Sequence, residues 1–207
     1  MIIVDKEILI EKSELLFHDD FSDGWEKNWE ITGGEWTAKD GVLTGVYRGN
    51  AGGIIYTNKC FEGDVMLDFY GKIIPPCAND MNCTWRSNGW NFEVGDADRG
   101  YIAGINGWWH DYTGIERYPT CSPRVLSQAF KAEPGVEYHI NAGTIGGTSF
   151  VAIDGKVIVI LSEENPISDP ECGRVGLGTY CSQIAFRDFK VYKPAWKEAE
   201  TNYTPEF

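Results

Sequence analysis

Apolar and polar residues alternate with a period of two over most of the chain, and short turn signals separate the alternating stretches. The clearest case is residues 149–161, where two β-branched runs flank Asp154-Gly155. Asp-Gly suits the positive backbone φ of a two-residue hairpin turn, so this segment is predicted to be a β-hairpin. A second hairpin is predicted over residues 35–47, turning at Asp40-Gly41.

The same alternation predicts further strands, at residues 53–57, 63–72, 90–94, 101–106, 136–145, 174–179 and 184–192. About ten to twelve short strands separated by turn residues are typical of two packed antiparallel sheets. We therefore predict an all-β, antiparallel β-sandwich. Residues 74–87 and 107–128 are predicted to be its two long loops. Residues 1–193 are predicted to form one domain, followed by a C-terminal extension at 194–207.

Composition narrows the function classes. The 207 residues carry 31 acidic and 18 basic side chains, a net charge of −13. So acidic a surface repels phosphate, which argues against nucleic acid or an anionic membrane as a partner and mildly against a polyanionic substrate. The N-terminus has no basic region followed by an apolar run, and no segment reads as a membrane span. A cytoplasmic location is expected, or secretion if an export signal has been removed; the oligomeric state stays open.

The cysteines leave two interpretations. There are six, at positions 60, 77, 83, 121, 172 and 181. In a secreted protein they could form three disulfides, whereas a cytoplasmic protein keeps its thiols free. Their spacing matches no CxxC metal-binding pattern. Free thiols are therefore favoured, and no cofactor is expected to be required.

The most distinctive segment runs from residue 85 to residue 118. It contains four of the eight Trp residues, one of the three His residues and five carboxylates, namely Glu93, Asp96, Asp98, Asp111 and Glu116. Trp and Tyr offer flat apolar faces with a polar edge, which suits them to ligand surfaces as well as to cores. Carboxylates among them can bind sugar hydroxyls or transfer protons. This combination points to an oligosaccharide or glycoside as the ligand.

Two candidate site residues are identified if residues 90–94 form a strand. Side chains alternate along a strand, so Trp90, Phe92 and Val94 would face the core, while Asn91 and Glu93 would lie on the outer face. Glu93 is accordingly a candidate acid, base or hydroxyl-binding group, with Asn91 as a substrate-binding neighbour. The alternative is that Glu93 is an ordinary exposed residue of a strand.

The following residues add a second group of candidates. His110 can exchange a proton at neutral pH, and Asp111 or Glu116 could orient it or act as the second carboxylate of a catalytic pair. The alternative is that His110 is a hydrogen-bonded structural residue. The remaining candidates, all for substrate binding, are Trp85, Trp109 and Arg117.

Both ends of the chain resemble a known family. The motifs are LFHDDFSDGW at 16–25, GRVGLG at 173–178 and IAFRDFKVY at 184–192. Their order is similar to that of concanavalin A-like lectin and glucanase jelly rolls, closest to 3-keto-disaccharide hydrolase-like domains and the YesU-like family. The resemblance implies a concanavalin A-like jelly roll. The middle of the chain departs from the keto-hydrolase pattern, and these end motifs identify a fold without assigning a reaction.

The resemblance also implies a metal site. Related jelly rolls often bind one structural Ca²⁺ between an N-terminal acidic pair and the last strand, and Asp20 and Asp188 occupy the matching positions. Ca²⁺ takes six to eight oxygen ligands, so backbone carbonyls would supply several of them. The alternative for Asp188 is an ion pair with Arg187 or Lys190.

Three functions follow from these observations. The first is a glycoside hydrolase or lyase that acts on a small glycan in a concave cleft on one sheet. The second is a non-catalytic carbohydrate-binding module, which needs the aromatic and amide side chains but no acid–base pair. The third is an accessory subunit whose exposed aromatic residues form a protein interface.

Overall fold

The computed structural model describes residues 1–49, 53–167 and 173–200. Apart from 3-10 turns at Ile10–Lys12, Trp25–Asn28 and Trp108–His110, its regular elements are strands. In chain order these are β1 Ile2–Ile3, β2 Lys6–Ile8, β3 Glu14–Asp19, β4 Trp29–Ile31, β5 Glu35–Lys39, β6 Val42–Tyr47, β7 Gly53–Thr57, β8 Val65–Ile73, β9 Met81–Ser87, β10 Trp90–Asn91, β11 Asp96–Ala97, β12 Gly100–Ile105, β13 Thr113–Tyr118, β14 Ser122–Ser127, β15 Glu137–Ile145, β16 Thr148–Ile153, β17 Lys156–Ser162, β18 Arg174–Thr179, β19 Ser182–Lys193 and β20 Trp196–Glu198.

Two large sheets form the body of the molecule. One has seven strands in the order β14-β13-β12-β9-β18-β7-β4, and the other has eight in the order β17-β16-β15-β8-β19-β6-β5, with β3 also paired to β19. The pairings between the described strands are antiparallel. The predicted antiparallel β-sandwich is confirmed.

The inward side chains of the two sheets meet in one apolar core. In β9 and β12 every second residue enters it, including Cys83, Trp85, Tyr101 and Ala103. Aromatic side chains from opposite sheets contact each other there: the rings of Trp29 and Phe189 lie edge to face, 5.2 Å apart. Burying side chains of this size supplies most of the driving force for folding.

Both predicted hairpins are present. β16 and β17 join at Asp154-Gly155, whose φ values are 49° and 77°, and β5 and β6 join at Asp40-Gly41, with φ of 52° and 75°. Positive φ at both central residues is the conformation that matches the right-handed twist of the flanking strands. The turn chemistry therefore gave the correct register at both places.

Two predicted loops are largely strands. Residues 74–87 include β9, which lies in the middle of the seven-stranded sheet, and residues 107–128 include β13 and β14. The prediction failed because outward positions of these strands hold Asn82, Gly114 and Glu116, residue types with low strand propensity. They are tolerated because they point away from the core.

The predicted strand at 90–94 is also wrong. β10 ends at Asn91, a turn occupies residues 92–95, and β11 pairs back on β10 as a short separate hairpin. Phe92 and Val94 were expected to face the core, but they are 67% and 70% exposed. The alternating residues of this segment lie in a turn, where successive side chains do not point alternately to the core and to solvent.

A small third sheet covers part of the outer face of the eight-stranded sheet. Its order is β1-β2-β20, and it buries a second apolar cluster that includes Ile3, Ile8, Met66 and Phe150. Residues 196–198 of the predicted C-terminal extension thus pair with β2. Residues 201–207 of that extension lie outside the described part of the chain.

The five described cysteines are free thiols: Cys60, Cys77, Cys83, Cys121 and Cys181. Cys172 lies outside the described residues. Within the described ranges, no helix has the length and apolar character needed to cross a membrane.

Candidate functional site: an acidic cleft on the seven-stranded sheet

The outer face of the seven-stranded sheet carries glycine at several positions. In β12, β13 and β18 the inward positions hold larger residues, while outward positions include Gly104, Gly114 and Gly178. A Cβ atom on Gly104 would lie 3.0 Å from Asp80 Oδ1 and 3.3 Å from the Trp108 ring. Glycine within a strand allows such close approach over the sheet. Gly104 therefore lies in the floor of a depression, where Asp80 and the Trp108 ring approach the sheet closely.

The depression is a cleft of about 410 Å³. Its chemistry comes from two groups of lining residues. The polar group is Asp80, Asn82, Asp96 and Glu116, and the aromatic group is Trp90, Trp108, Tyr118 and Tyr180. A concave surface with aromatic walls and a few convergent polar groups is the usual form of a small-molecule site.

Asp80 lies immediately before β9, at one end of the cleft. Its Oδ1 accepts a hydrogen bond of 2.8 Å from Asn82 Nδ2. Burial raises the pKa of the Asp80 carboxyl to about 7; the Asn82 hydrogen bond opposes this rise and the negative charge of Glu116 adds to it. At neutral pH a carboxyl with this pKa is both a competent proton donor and a competent acceptor.

Glu116 lies on β13, opposite Ile102 of β12. Burial raises the pKa of the Glu116 carboxyl, hydrogen bonding with the Tyr118 and Trp108 side chains lowers it, and the charge of Asp96 raises it further. The negative charge of Glu116 makes a smaller contribution to the raised pKa of Asp80. Two carboxyls with raised pKa values that line one cleft are typical of a functional site.

The hairpin of β10 and β11 forms one wall. Trp90 is paired with Ala97, and both pack on an outer apolar cluster that includes Tyr56 and Tyr118. This contact holds the hairpin against the sheet. Asp96 therefore reaches the cleft from a fixed position, where its Oδ1 accepts a 2.7 Å hydrogen bond from the backbone N–H of Ala97.

Tyr118 and Cys121 lie next to each other at the cleft, with the Tyr118 hydroxyl 3.2 Å from Cys121 Sγ. Burial raises the pKa of the Tyr118 hydroxyl and also that of the Cys121 thiol. Both groups thus favour their neutral forms, in which they can donate hydrogen bonds to a ligand.

Of the four predicted catalytic residues, only Glu116 lines the cleft. Glu93 is exposed in the turn after β10, where Asn91 Oδ1 accepts a hydrogen bond of 3.0 Å from the Glu93 backbone N–H. The side chain of Asn91 thereby stabilises its own turn. Both residues belong to the hairpin that walls the cleft, but neither lines it.

Trp109 and His110 follow Trp108 in a short 3-10 turn, and Asp111 comes directly after that turn. Trp109 and His110 have φ values of 51° and 64°, and the Trp109 side chain is 73% exposed, with its ring edge-on to Tyr112 at 5.3 Å. Asp111 Oδ2 accepts a 3.3 Å hydrogen bond from Gln128 Nε2. These three residues are thus next to the cleft in sequence without lining it.

Trp85 and Arg117 point to the opposite side of the sheet. Trp85 is fully buried, and its Nε1–H donates a 2.9 Å hydrogen bond to Thr144 Oγ1 of the other sheet. A side chain enclosed between two sheets has no face left for a ligand. Arg117 follows Glu116 in the same strand and so faces the other way, donating a 3.0 Å hydrogen bond to Glu163 Oε2.

The two predicted metal ligands have other partners. Asp188 Oδ1 lies 2.8 Å from His18 Nε2, and Asp188 Oδ2 accepts a 2.6 Å hydrogen bond from Lys190 Nζ. The alternative interpretation of Asp188, an ion pair with Lys190, is the one observed. Asp20 Oδ1 accepts a hydrogen bond from the backbone N–H of Ser22. An ammonium group on the same carboxylate competes directly with a cation, so this pair does not fit a calcium site.

The neighbouring Asp19 is buried and already satisfied. It accepts hydrogen bonds of 2.8 to 2.9 Å from the Phe21 backbone N–H, Asn28 Nδ2 and Trp29 Nε1. Three donors thus stabilise the carboxylate. Over residues 1–49, 53–167 and 173–200, no group of three His, Cys, Asp or Glu side chains is arranged to hold a metal ion.

The residues that the sequence interpretation missed include Asp80, Asn82, Tyr118 and Tyr180. One signal in the sequence points to their location: glycine recurs at outward positions of β12, β13 and β18, in AGI, TGI and VGLG. Glycine leaves room above a strand, and here the side chains of Asn82 and Trp108 pack closely over these positions.

Comparison with known proteins gives the fold. No protein-family model and no curated protein sequence matches the chain. Among solved structures, the carbohydrate-binding module CBM66 from Bacillus subtilis aligns with a TM-score of 0.65 and 15% identity, covering 80% of this chain and 96% of that one. A Bacillus subtilis protein of unknown function with a galectin-like fold aligns with a TM-score of 0.69 and 13% identity, over 87% and 96%. The exoplasmic/lumenal domain of VIP36, in a Ca²⁺- and Man3GlcNAc-bound form, aligns with a TM-score of 0.61 and 11% identity, covering 96% of this chain and 93% of that one.

The protein is a β-sandwich of the concanavalin A-like, galectin-like class, as its end motifs predicted. At 11 to 15% identity, the comparisons define the fold alone. Function has to be argued from the cleft.

Proposed function

We propose that the protein cleaves a glycosidic bond of a small glycan or glycoside in the cleft on the outer face of the seven-stranded sheet. The observation that carries this proposal is that Asp80 and Glu116, two carboxyls whose pKa values are both raised by burial, line one aromatic-walled cleft. Two carboxyl groups on either side of the scissile bond are the usual means of glycoside hydrolysis.

Each carboxyl has a role that fits its surroundings. Asp80, with a pKa of about 7, donates its proton to the leaving glycosidic oxygen as the C–O bond breaks. Glu116, as the carboxylate, stabilises the positive charge that develops on the sugar and assists the attack of water. One water molecule is consumed and one new hydroxyl appears on each product.

The rest of the cleft suits sugar binding. Trp90 and Trp108 offer apolar faces against which a sugar ring can stack, and Asn82 offers an amide to its hydroxyls. The fold supports a carbohydrate ligand, since CBM66 is a carbohydrate-binding module and VIP36 was solved with Man3GlcNAc.

The test is a panel of oligosaccharides and aryl glycosides, including 3-keto disaccharides, incubated with the protein and analysed by mass spectrometry. Products that gain one water molecule indicate hydrolysis, and products without added water indicate a lyase. Asp80→Asn and Glu116→Gln should each reduce the rate by at least about a hundredfold. Glu93→Gln, which changes an exposed carboxylate outside the cleft, is the matched control. Full activity of both cleft variants would refute the proposal.

A non-catalytic carbohydrate-binding module is the second candidate. It is favoured by the 73% exposed Trp109 beside the cleft and by the alignment with 96% of CBM66. In that case the panel would show retained sugar without products. Asp80→Asn would then leave the affinity within a few-fold of the wild type, because sugar hydroxyls bind Asn as well as Asp.

A further inference from the structure

The charge of the cleft is one-sided. Asp80, Asp96 and Glu116 line it, and none of its lining residues is Lys, Arg or His. Among the described residues, no basic side chain lies within the 4.0 Å of an ion pair with any of these three carboxyls. Basic residues near this sheet bind elsewhere: Arg117 pairs with Glu163, and Arg174 with Glu30.

The aromatic walls of the cleft also attract positive charge. The face of an aromatic ring carries negative charge density and attracts a cation within about 6 Å of its centre, Trp most strongly. Trp90 and Trp108 both line the cleft together with the carboxyls. A cationic ligand would therefore be stabilised by the rings and by the carboxylates, whereas a uronic acid or a phosphorylated sugar would be repelled.

The three carboxyls are not equivalent. Asp80 and Glu116 are the two carboxyls to which the proposed reaction is assigned. Asp96 has no assigned part in the reaction, and its negative charge adds to the raised pKa of Glu116. It stands on the β10–β11 hairpin with its Oδ1 bound by the Ala97 backbone N–H, which orients the carboxylate. This makes Asp96 the residue best placed to bind a substituent on the sugar.

Building on the proposed function, we propose that the substrate is a sugar with a free, protonated amino group, and that Asp96 is the residue that selects it. The ammonium group lies between the Asp96 carboxylate and the aromatic walls. Its charge also favours the ionised form of the neighbouring Glu116, which the proposed reaction requires.

Calorimetry with matched oligosaccharides tests this inference. β-1,4-linked oligomers of glucosamine, glucose, N-acetylglucosamine and glucuronic acid are titrated into the protein at pH 7. The glucosamine oligomer should bind at least about tenfold more tightly than the glucose oligomer, the size expected for one desolvated cation contact. The uronic acid should bind most weakly. Asp96→Asn should abolish the preference for the amino sugar, while Asp98→Asn, two residues away and outside the cleft lining, should keep it.

The outcomes separate this inference from the proposed function. Equal affinities for glucosamine and glucose oligomers, with either one cleaved, would overturn the amino-sugar inference and leave the enzyme proposal standing. Tight, Asp96-dependent binding of the amino sugar without products would support the inference and refute catalysis on it. A preference that survives in Asp96→Asn and disappears with added salt would arise from the net charge of the whole protein, and would also overturn the inference.

Discussion

Replacing Asp80 with Asn should stabilise the protein, and the gain should depend on pH. The pKa of this carboxyl is raised from 3.8 to about 7 in the folded chain, chiefly by burial. The folded state therefore binds the proton more tightly than the unfolded state. Where that is so, the free energy of unfolding falls as pH rises, from the unfolded pKa up to the folded one. Asn cannot ionise and escapes this loss.

The size of the effect follows from the shift. Each pKa unit corresponds to about 1.4 kcal/mol, so ionising Asp80 costs the folded state about 4 kcal/mol once the pH is above 7. Near pH 4 the folded state is still almost fully protonated at Asp80 and the unfolded state is only about half ionised, so the cost is only about 0.5 kcal/mol. Asn also keeps an oxygen that can accept the hydrogen bond from Asn82 Nδ2. Asp80→Asn should thus gain little near pH 4 and about 4 kcal/mol near pH 8.5.

Urea unfolding of the wild type and of Asp80→Asn across this pH range measures the difference. Glu93→Gln is the control, because an exposed turn carboxylate should change the free energy of unfolding by less than about 0.5 kcal/mol throughout. A stability difference between wild type and Asp80→Asn that stays constant from pH 4 to pH 8.5 would refute the raised pKa. Without it, the assignment of Asp80 as the proton donor would also lose its basis.

Three further predictions concern neighbouring features. Trp85→Ala should lower the free energy of unfolding by about 3–5 kcal/mol, because Trp85 is fully buried. Trp109→Ala should change it by less than about 0.5 kcal/mol, because Trp109 is exposed. Equal effects of the two substitutions in chemical denaturation would contradict the placement of the two side chains. A bound ligand should slow alkylation of Cys121 at the cleft and leave that of the exposed Cys60 unchanged, as read by peptide mapping; protection of both or of neither would place the ligand elsewhere. Asp19→Ala should cost about 3 kcal/mol by leaving three buried donors without an acceptor, and a melting temperature within one degree of the wild type would show that the donors are satisfied in another way.

The sandwich was predictable because the conformation of its hairpins and core strands follows mainly from the local sequence. Asp154-Gly155 favours a two-residue turn, and the β-branched runs on either side of it favour strands. β9 and β13 were mistaken for loops because their outward residues belong to the cleft. Asn82, Gly114 and Glu116 are poor strand formers in isolation, and they are acceptable here because the neighbouring strands supply the pairing.

The site was only partly predictable for a related reason. Glu116 lies within the conspicuous aromatic and acidic segment, so composition alone points to it. Asp80 lies outside that segment and reaches the cleft because β9 pairs with both β12 and β18, and neither partner adjoins it in sequence. The pattern that would connect these strands is the row of outward glycines. It becomes informative only once the strand order is known.

The two outer faces of the sandwich differ in a way that explains where the site lies. On the eight-stranded sheet, outward Met66 and Phe150 are covered by the sheet of β1, β2 and β20, so that face is partly sealed by the chain itself. On the seven-stranded sheet, glycine takes the place of such residues and leaves carboxyls and aromatic rings around an open cleft. Among these groups, burial raises the pKa of Asp80, so its ionised form is destabilised in the folded chain. Carboxyls perturbed in this way are more frequent at functional sites than among residues that serve only the fold, which agrees with the proton-donor role proposed for Asp80.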